Sequence, residues 1–248
     1  MNSQKESSKV KKELNQIKPK HLFEKLKTKY FIQNIFDKLL KKKVLEIIKY
    51  NKRQQKLLNI TIKDYKEYSE KYSSIQIEII PINNKYGKFI NIKKEDEIYY
   101  HIYFNNNPEE IKRNYTNKDE EIEIIKIIID YQIISFKFLF CYSKCIESIY
   151  FKKFYRNNIS NMNGMFNECL SLKELNLNNF NINNVTDMSY MFYKCSSLKE
   201  LNINNFNTNN LIIMMYMFSY CSKDFIRKIK AQYKNIKEEA FINIDTNI

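Results

Sequence analysis

The sequence contains very little glycine and proline, with two glycines and three prolines in 248 residues. A loop that cradles phosphate needs several glycines close together, because only a backbone without side chains lets successive amides approach the ligand. The two glycines, Gly87 and Gly164, lie far apart in the chain. The sequence therefore excludes both a P-loop and a dinucleotide-binding fingerprint.

Histidine is equally scarce, with only His21 and His101, and tryptophan is absent. A zinc site needs several ligands at short spacing, and a cysteine nucleophile needs a histidine and a third supporting group. Neither pattern is present. We therefore expect a protein that is not an enzyme, with no catalytic residue, no cofactor, no metal site and no small-molecule substrate.

Long apolar runs are also missing. No stretch of 18 apolar residues exists, and the polar start "MNSQKESSKVKKELNQ" contains neither the apolar core of a signal peptide nor a lipobox cysteine. We therefore expect an intracellular protein whose five cysteines stay reduced.

The chain carries a net charge of +14, which is concentrated near its start. Residues 1–71 hold 20 Lys/Arg against 8 Asp/Glu, a net of +12. Such a region is suited to bind nucleic acid or an anionic membrane. The alternative is a solvated face, because the chain has 38 lysines but only 4 arginines, and specific base readout favours arginine.

Three regions precede the most regular part of the sequence. Residues 1–19 are polar and predict a disordered basic leader. Residues 20–72 have apolar side chains at helical spacing and predict a helical region. Residues 73–119 predict a small β-rich segment, in which "SIQIEIIPI" and "GKFINI" form a hairpin and "EIYYHIYF" forms a third strand.

A 26-residue repeat follows. "MFNECLSLKELNLNNFNINN" at 165–184 and "MFYKCSSLKELNINNFNTNN" at 191–210 agree at 15 of 20 positions. The period continues in both directions, through the in-phase cysteines Cys169, Cys195 and Cys221 and back to Ile125 in degenerate copies. These series predict that residues 120–222 are repeats whose methionines and cysteines fill a core.

Each repeat divides into two patterns. "LKELNLNNF" alternates apolar and polar residues, as a short strand does, and "VTDMSYMFYKC" spaces its apolar residues like one face of a short helix. The two together predict a mixed α/β fold that ends in a leucine-rich-repeat solenoid of 26-residue strand–helix turns. A helix capped by Ser222 is expected to close the solenoid within residues 223–248, and the segment 73–119 is expected to cover its other end.

The motif "VTDMSYMFYKCSSLKELNINNF" resembles the BspA-like leucine-rich repeats, which include a subset first described as mycoplasma proteins of unknown function. The resemblance covers about 100 residues through its Met-Phe-x-x-Cys-x-x-Leu core. It implies a leucine-rich solenoid without enzymatic activity that mediates contact between proteins, often at a microbial cell surface.

Residues 30–53 are similar in their apolar spacing to an F-box, the helical module that docks a substrate receptor onto a ubiquitin ligase. The matching positions are Ile32, Ile35, Phe36, Leu39, Leu45 and Ile48. The usual Leu-Pro start and late tryptophan are missing. The resemblance implies a substrate adaptor, and packing within a helical bundle is the alternative explanation.

The outward side of the predicted strands is the candidate partner-binding face. Asn176 and Asn178 alternate with the inward Leu175 and Leu177. The full set of candidate residues is Tyr150, Lys152, Lys173, Asn176, Asn178, Lys199, Asn202 and Asn204. We expect this face to hold a protein partner, with a solvated polar face as the alternative of equal weight.

Overall fold

The computed structural model describes residues 41–177, 180, 182–203 and 212–243, with Lys42 described by its backbone only. The predicted leader 1–19 and the first half of the predicted helical region lie outside these residues. The chain divides into two compact units, Met1–Tyr68 and Ser69–Ile248. Each unit is described separately.

The amino-terminal unit is helical where it is described. Helix α1 spans Lys41–Ile48 and α2 spans Lys52–Leu57, while α3 (Ile62–Tyr72) begins in this unit and ends in the next. Val44, Leu45 and Ile48 are buried. In the whole described chain, no helix is both long and apolar enough to cross a bilayer.

The carboxy-terminal unit contains two sheets. The strands are β1 (Ile75–Pro81), β2 (Gly87–Lys88), β3 (Tyr100–Phe104), β4 (Tyr115–Thr116), β5 (Ile125–Ile129), β6 (Ile146–Lys153) and β7 (Glu174–Asn176). Five of them form a mixed sheet in the order β3-β5-β1-β6-β7, and β2 pairs with β4. The predicted hairpin between "SIQIEIIPI" and "GKFINI" is therefore wrong, because β1 pairs with β5 and β6 instead.

The predicted solenoid of strand–helix turns is also wrong. The repeat strands β5 and β6 are not neighbours, because β1 lies between them and pairs antiparallel with both. Among the strands that the structure describes, only β6 and β7 pair in parallel. No helix is present between residues 120 and 222 in the described part of the chain. The observed fold is a five-stranded mixed sheet combined with stacked turns, the first of which alternate along the chain with β5, β6 and β7.

Four stacked turn segments replace the predicted helices: 135–143, 161–169, 187–195 and 213–221. We call them the turn ladder. Parallel bridges link their first residues, from Ser135 to Asn161, to Asp187 and to Ile213. At each of the three junctions, four amides of one segment donate to carbonyls of the next at 2.8–2.9 Å, as the Phe166 amide does to the Met191 carbonyl. An α-helix would use these amides internally, so these bonds exclude it.

Two columns of left-handed residues shape the turns. One column contains Phe138, Gly164, Tyr190 and Tyr216, with φ of 58° to 59°, and the other contains Tyr142, Glu168, Lys194 and Tyr220, with φ of 55° to 62°. Each of these residues is third in a β-turn closed by a bond such as Leu139 N to Phe136 O, at 3.1 Å. The left-handed residues make the turns tight enough to stack in register.

The side chains inside the ladder stack in the same register. The rings of Phe140, Phe166, Phe192, Phe218 and Phe241 lie with neighbouring centroids between 5.4 and 5.6 Å apart. The thiols of Cys169, Cys195 and Cys221 each donate to a carbonyl of the preceding segment, at 2.9 to 3.1 Å. Burial raises the pKa of the Cys221 thiol to about 12, so it is not a thiolate at neutral pH.

Segments outside the repeat satisfy most of the polar backbone at the two ends of the ladder. At the start, the amide and side chain of Asn91 donate to the carbonyls of Leu139 and Cys141, at 2.6 and 2.7 Å. At the finish, the 3₁₀ helix Glu238–Phe241 accepts bonds from the amides of Tyr216 and Phe218. These segments thus make part of the bonds that would otherwise join further repeats.

Arg156 links the first repeat to the second where β1 separates their strands. Because neighbouring strands lie about 4.8 Å apart, β5 and β6 are separated by roughly twice that distance. The buried guanidinium of Arg156 donates to the carbonyls of Asp130, at 2.8 Å, and Ile133. Burial lowers its pKa to about 10, so it remains a cation at neutral pH. In the next repeat, the equivalent position is the buried Ile182.

We expect replacement of a central ring of the phenylalanine stack to destabilise the unit. Phe192 is fully buried between Phe166 and Phe218, so Phe192→Ala leaves a cavity and should lower the free energy of unfolding by about 3–5 kcal/mol. Urea unfolding followed by circular dichroism measures this change. Tyr155→Ala is the control, because Tyr155 is 54% exposed and its loss should cost less than about 0.5 kcal/mol. Equal losses in the two variants would contradict the stacked core.

Candidate functional site

The outward face of β6 and β7 carries polar side chains because the two strands alternate in the same register. Ile149 pairs with Leu175 and both are buried, whereas Tyr150 pairs with Asn176 and both point outward. The third repeat continues the alternation with the buried Leu201. The repeat thus presents equivalent polar positions side by side.

Helix α4 (Lys223–Gln232) stands beside this face. Its start is capped by Ser222, which accepts a bond from the amide of Phe225 at 3.2 Å. Phe225 and Ile229 are buried one turn apart and hold the helix against the core. The hydroxyl of Tyr233, which follows the helix, donates to the Leu201 carbonyl at 3.3 Å and accepts from the Ile203 amide at 3.0 Å.

A groove of about 1040 Å³ lies between the strand face and α4. We call it the strand–helix groove. Five of the eight predicted site residues line it: Tyr150, Lys173, Asn176, Lys199 and Asn202. Of the other three, Lys152 lies on β6 with Tyr150 and forms an ion pair with Glu78 of β1 at 2.8 Å. Asn178 and Asn204 lie outside the described residues.

Several residues of the groove were not predicted. Glu174 and Glu200 are 26 residues apart, and each lies two residues before an outward asparagine. The alternation of side chains along a strand could therefore have predicted that both glutamates face outward. Lys228, Ala231 and Gln232 come from α4. No spacing in the sequence indicates that a closing helix would also form a wall of the face.

Charges in the groove are partly paired. The Tyr150 hydroxyl donates to Glu174 at 2.6 Å, Lys173 pairs with Glu147 at 2.6 Å, and Lys228 lies 3.8 Å from Glu200. The exposed Lys199 makes no ion pair or hydrogen bond to a residue that the structure describes. Lys199 is therefore a cation available to a ligand.

The hydrogen bond to Glu174 raises the pKa of Tyr150, and burial adds to the effect. A carboxylate acceptor stabilises the protonated phenol, because ionisation would place two negative charges side by side. At neutral pH, Tyr150 therefore keeps its proton and Glu174 remains engaged. The groove presents amides, ammonium groups and one phenol beside an apolar helix side.

His101 lies away from the groove, on β3. Its Nδ1 is 3.0 Å from Glu110 and its Nε2 is 3.5 Å from Asp130. The two carboxylates occupy opposite ring nitrogens, so one metal ion cannot bridge all three side chains. Over the described residues, no group of three His, Cys, Asp or Glu side chains is arranged to hold a metal ion.

We expect Glu174→Gln to lower the pKa of Tyr150, because a neutral amide no longer opposes ionisation of the phenol. A pH titration by NMR on protein labelled at tyrosine Cζ measures this change. The ordinary value is about 10, so the wild-type resonance should titrate above it. Glu200→Gln is the control, since it removes the in-phase carboxylate of the next repeat. The account fails if the two variants titrate alike.

Residues 132–241 match the family described as "Mycoplasma protein of unknown function, DUF285". The match includes the turn ladder and α4, and it does not reach the F-box-like residues 30–53. The description does not mention BspA-like or leucine-rich repeats, so that finer relationship remains a prediction. No curated protein and no solved structure matches the chain. The segment that forms both walls of the strand–helix groove is therefore similar to a family of unknown function.

Proposed function

We propose that the protein is a non-enzymatic interaction scaffold whose protein partner binds in the strand–helix groove. The observation that carries the proposal is the convergence of five outward repeat residues and one helix on a single concave surface. Concave sites with a few polar groups beside apolar walls are the usual form of binding sites in proteins.

The size of the groove favours an extended polypeptide over a small molecule. Small-molecule pockets occupy roughly 300–1,000 Å³, and the groove lies at the upper limit of that range. Outward side chains recur along the groove at equivalent positions of successive repeats, such as Asn176 and Asn202. A peptide laid across the repeats would meet the same amide chemistry at each step.

The chemistry of the groove supports binding without catalysis. Its lining contains no histidine or cysteine among the described residues. Of its two carboxylates, Glu174 is engaged by Tyr150, and Glu200 lies close to Lys228. The bond between Tyr150 and Glu174 raises the pKa of the phenol, which opposes its activation as a nucleophile.

A site-specific crosslinking experiment tests this proposal. A photoreactive phenylalanine is placed at Gln232 in the groove or at Lys234, an exposed position beyond the groove, in the full chain. After irradiation in native-cell lysate, we expect one protein partner to be crosslinked from position 232 and not from position 234. Equal crosslinking from both positions would contradict a partner in the groove.

A matched pair of charge reversals sharpens the test. Lys199→Glu should reduce crosslinking from position 232 by about tenfold, because it replaces the unpaired cation of the groove with an anion. Lys234→Glu makes the same change in net charge outside the groove, so it should leave the yield unchanged. A loss in both variants would indicate a response to total charge and would contradict recognition by the groove.

A basic nucleic-acid or membrane binder is the second candidate, favoured by the net charge of +12 in residues 1–71. Contacts with phosphates release counterions, so such binding would fall steeply between 50 and 200 mM salt, by about a thousandfold for six or more contacts. Titration of the full chain with duplex DNA or with phosphatidylserine vesicles measures this dependence. The F-box adaptor gains no support, since four of its six apolar positions precede residue 41 and lie outside the described residues.

A further inference from the structure

The starting end of the turn ladder is incompletely closed. In the later segments, the carbonyls of positions such as Asn161 and Asn163 accept bonds from the preceding segment. The first segment has no preceding segment, and Asn91 donates instead to its Phe138, Leu139 and Cys141 carbonyls. The equivalent carbonyls of Ser135 and Lys137 accept no hydrogen bond from a residue within the described ranges.

A pocket of about 470 Å³ lies beside these two carbonyls. We call it the carbonyl pocket. Its lining includes Asn91, Asp96, Tyr100, Gln132, Ser135 and Lys137. Because the ladder fixes the direction of its carbonyls, Ser135 and Lys137 direct their oxygens to the same side as Leu139. The pocket therefore presents hydrogen-bond acceptors held in place by the fold.

Two side chains add to this acceptor character. Asp96 is half-buried and has no ion pair with any described residue. Tyr100 is 6% exposed, and its hydroxyl likewise makes no hydrogen bond to the described part of the chain. Burial, with the nearby Asp96, raises the pKa of Tyr100, so the neutral hydroxyl offers lone pairs at physiological pH. Tyr100 lines the pocket, so its hydroxyl is available to a donor that enters there.

The molecule already binds a guanidinium with similar groups. Arg156 donates to the Asp130 carbonyl at 2.8 Å, to the Ile133 carbonyl and to the Asn158 side chain at 3.0 Å. The Asp130 and Ile133 carbonyls lie five and two residues before Ser135 in the chain. A planar group with several N–H donors is therefore compatible with this end of the ladder, where single-donor groups would leave acceptors unsatisfied.

We propose that the carbonyl pocket binds the guanidinium of an arginine side chain from a partner protein. The fork of five N–H donors would be shared among the Ser135 and Lys137 carbonyls, the Asp96 carboxylate and the Tyr100 hydroxyl. Lys93 and Lys137 are exposed at the lining and oppose the incoming charge, and the Lys137 ammonium lies 5.3 Å from the centroid of the Phe138 ring. This site is separate from the strand–helix groove.

Titration with a small probe tests the proposal on the full chain. N-acetyl-arginine methylamide is added to ¹⁵N-labelled protein, and its citrulline analogue, which has the same shape without the charge, is the matched control. We expect saturable amide shifts confined to residues 91–100 and 132–139, with arginine binding about tenfold more tightly than citrulline because its bonds are charge-assisted. Equal affinities, or shifts elsewhere only, would overturn the proposal.

Variants separate the sign of the ligand charge from effects on folding. Asp96→Asn should weaken arginine binding about fivefold or more, whereas Glu97→Gln removes a charge from the same 3₁₀ helix (Lys94–Tyr99) at an exposed position and should not. The double variant Lys93→Ala, Lys137→Ala should bind arginine more tightly. Weaker binding of arginine by that double variant would mean that the two lysines assist the ligand and do not repel it, and would refute the guanidinium site.

Discussion

The hydrogen bonds between successive turn segments are the constraint on which the carboxy-terminal unit depends. Each such bond contributes only about 0.5–1.5 kcal/mol net, but four of them recur at every junction. They commit the backbone to one register, because a shift by one residue would exchange the amides and carbonyls that face each other. The stacked phenylalanines and thiols follow from that register, since equivalent residues then lie directly above one another.

The same bonds leave the two ends of the turn ladder with amides and carbonyls that have no neighbouring segment to pair with. A stack held together by amides on one side and carbonyls on the other leaves unpaired groups wherever it stops. Asn91 and the segment around Glu238–Phe241 lie outside the repeat and form hydrogen bonds with some of these unpaired groups. The sheet resolves the start of the repeat differently, because β1 enters between β5 and β6 and the buried Arg156 joins the separated copies. The carbonyl pocket is the part of the first end that remains uncovered.

The sequence predicted the 26-residue repeat of the fold correctly, but it predicted the helices and the strand pairing within the repeat less well. In-phase residues such as Phe166 and Phe192 correctly indicated stacked equivalents in one core. The helix was wrong because Met188, Met191 and Cys195 are spaced as on a helix, yet tight turns bury the same positions. The spacing of apolar residues predicts which side chains are buried in the core. It does not predict which carbonyl accepts the hydrogen bond of a given amide. The insertion of β1 is a contact between distant segments, which no local pattern encodes.

The candidate face shows the same division. Alternation along a strand was enough to select Tyr150, Asn176 and Asn202 as outward residues. The second wall of the groove depends on where α4 packs, so Lys228 and Gln232 were beyond sequence reasoning. Polar outward faces of strands are common, but here α4 lies beside the face and makes it concave. Concavity distinguishes a binding groove from a solvated surface and supports the interaction scaffold proposed above.

Scalar coupling across hydrogen bonds tests the turn ladder most directly. A long-range HNCO experiment on deuterated protein correlates each amide with the carbonyl that accepts its proton. The account predicts a cross-peak between the Phe166 amide and the Met191 carbonyl, and its counterpart between Phe192 and Met217. A cross-peak from Phe166 to Met162, four residues earlier, would instead reveal a helix and would contradict the ladder.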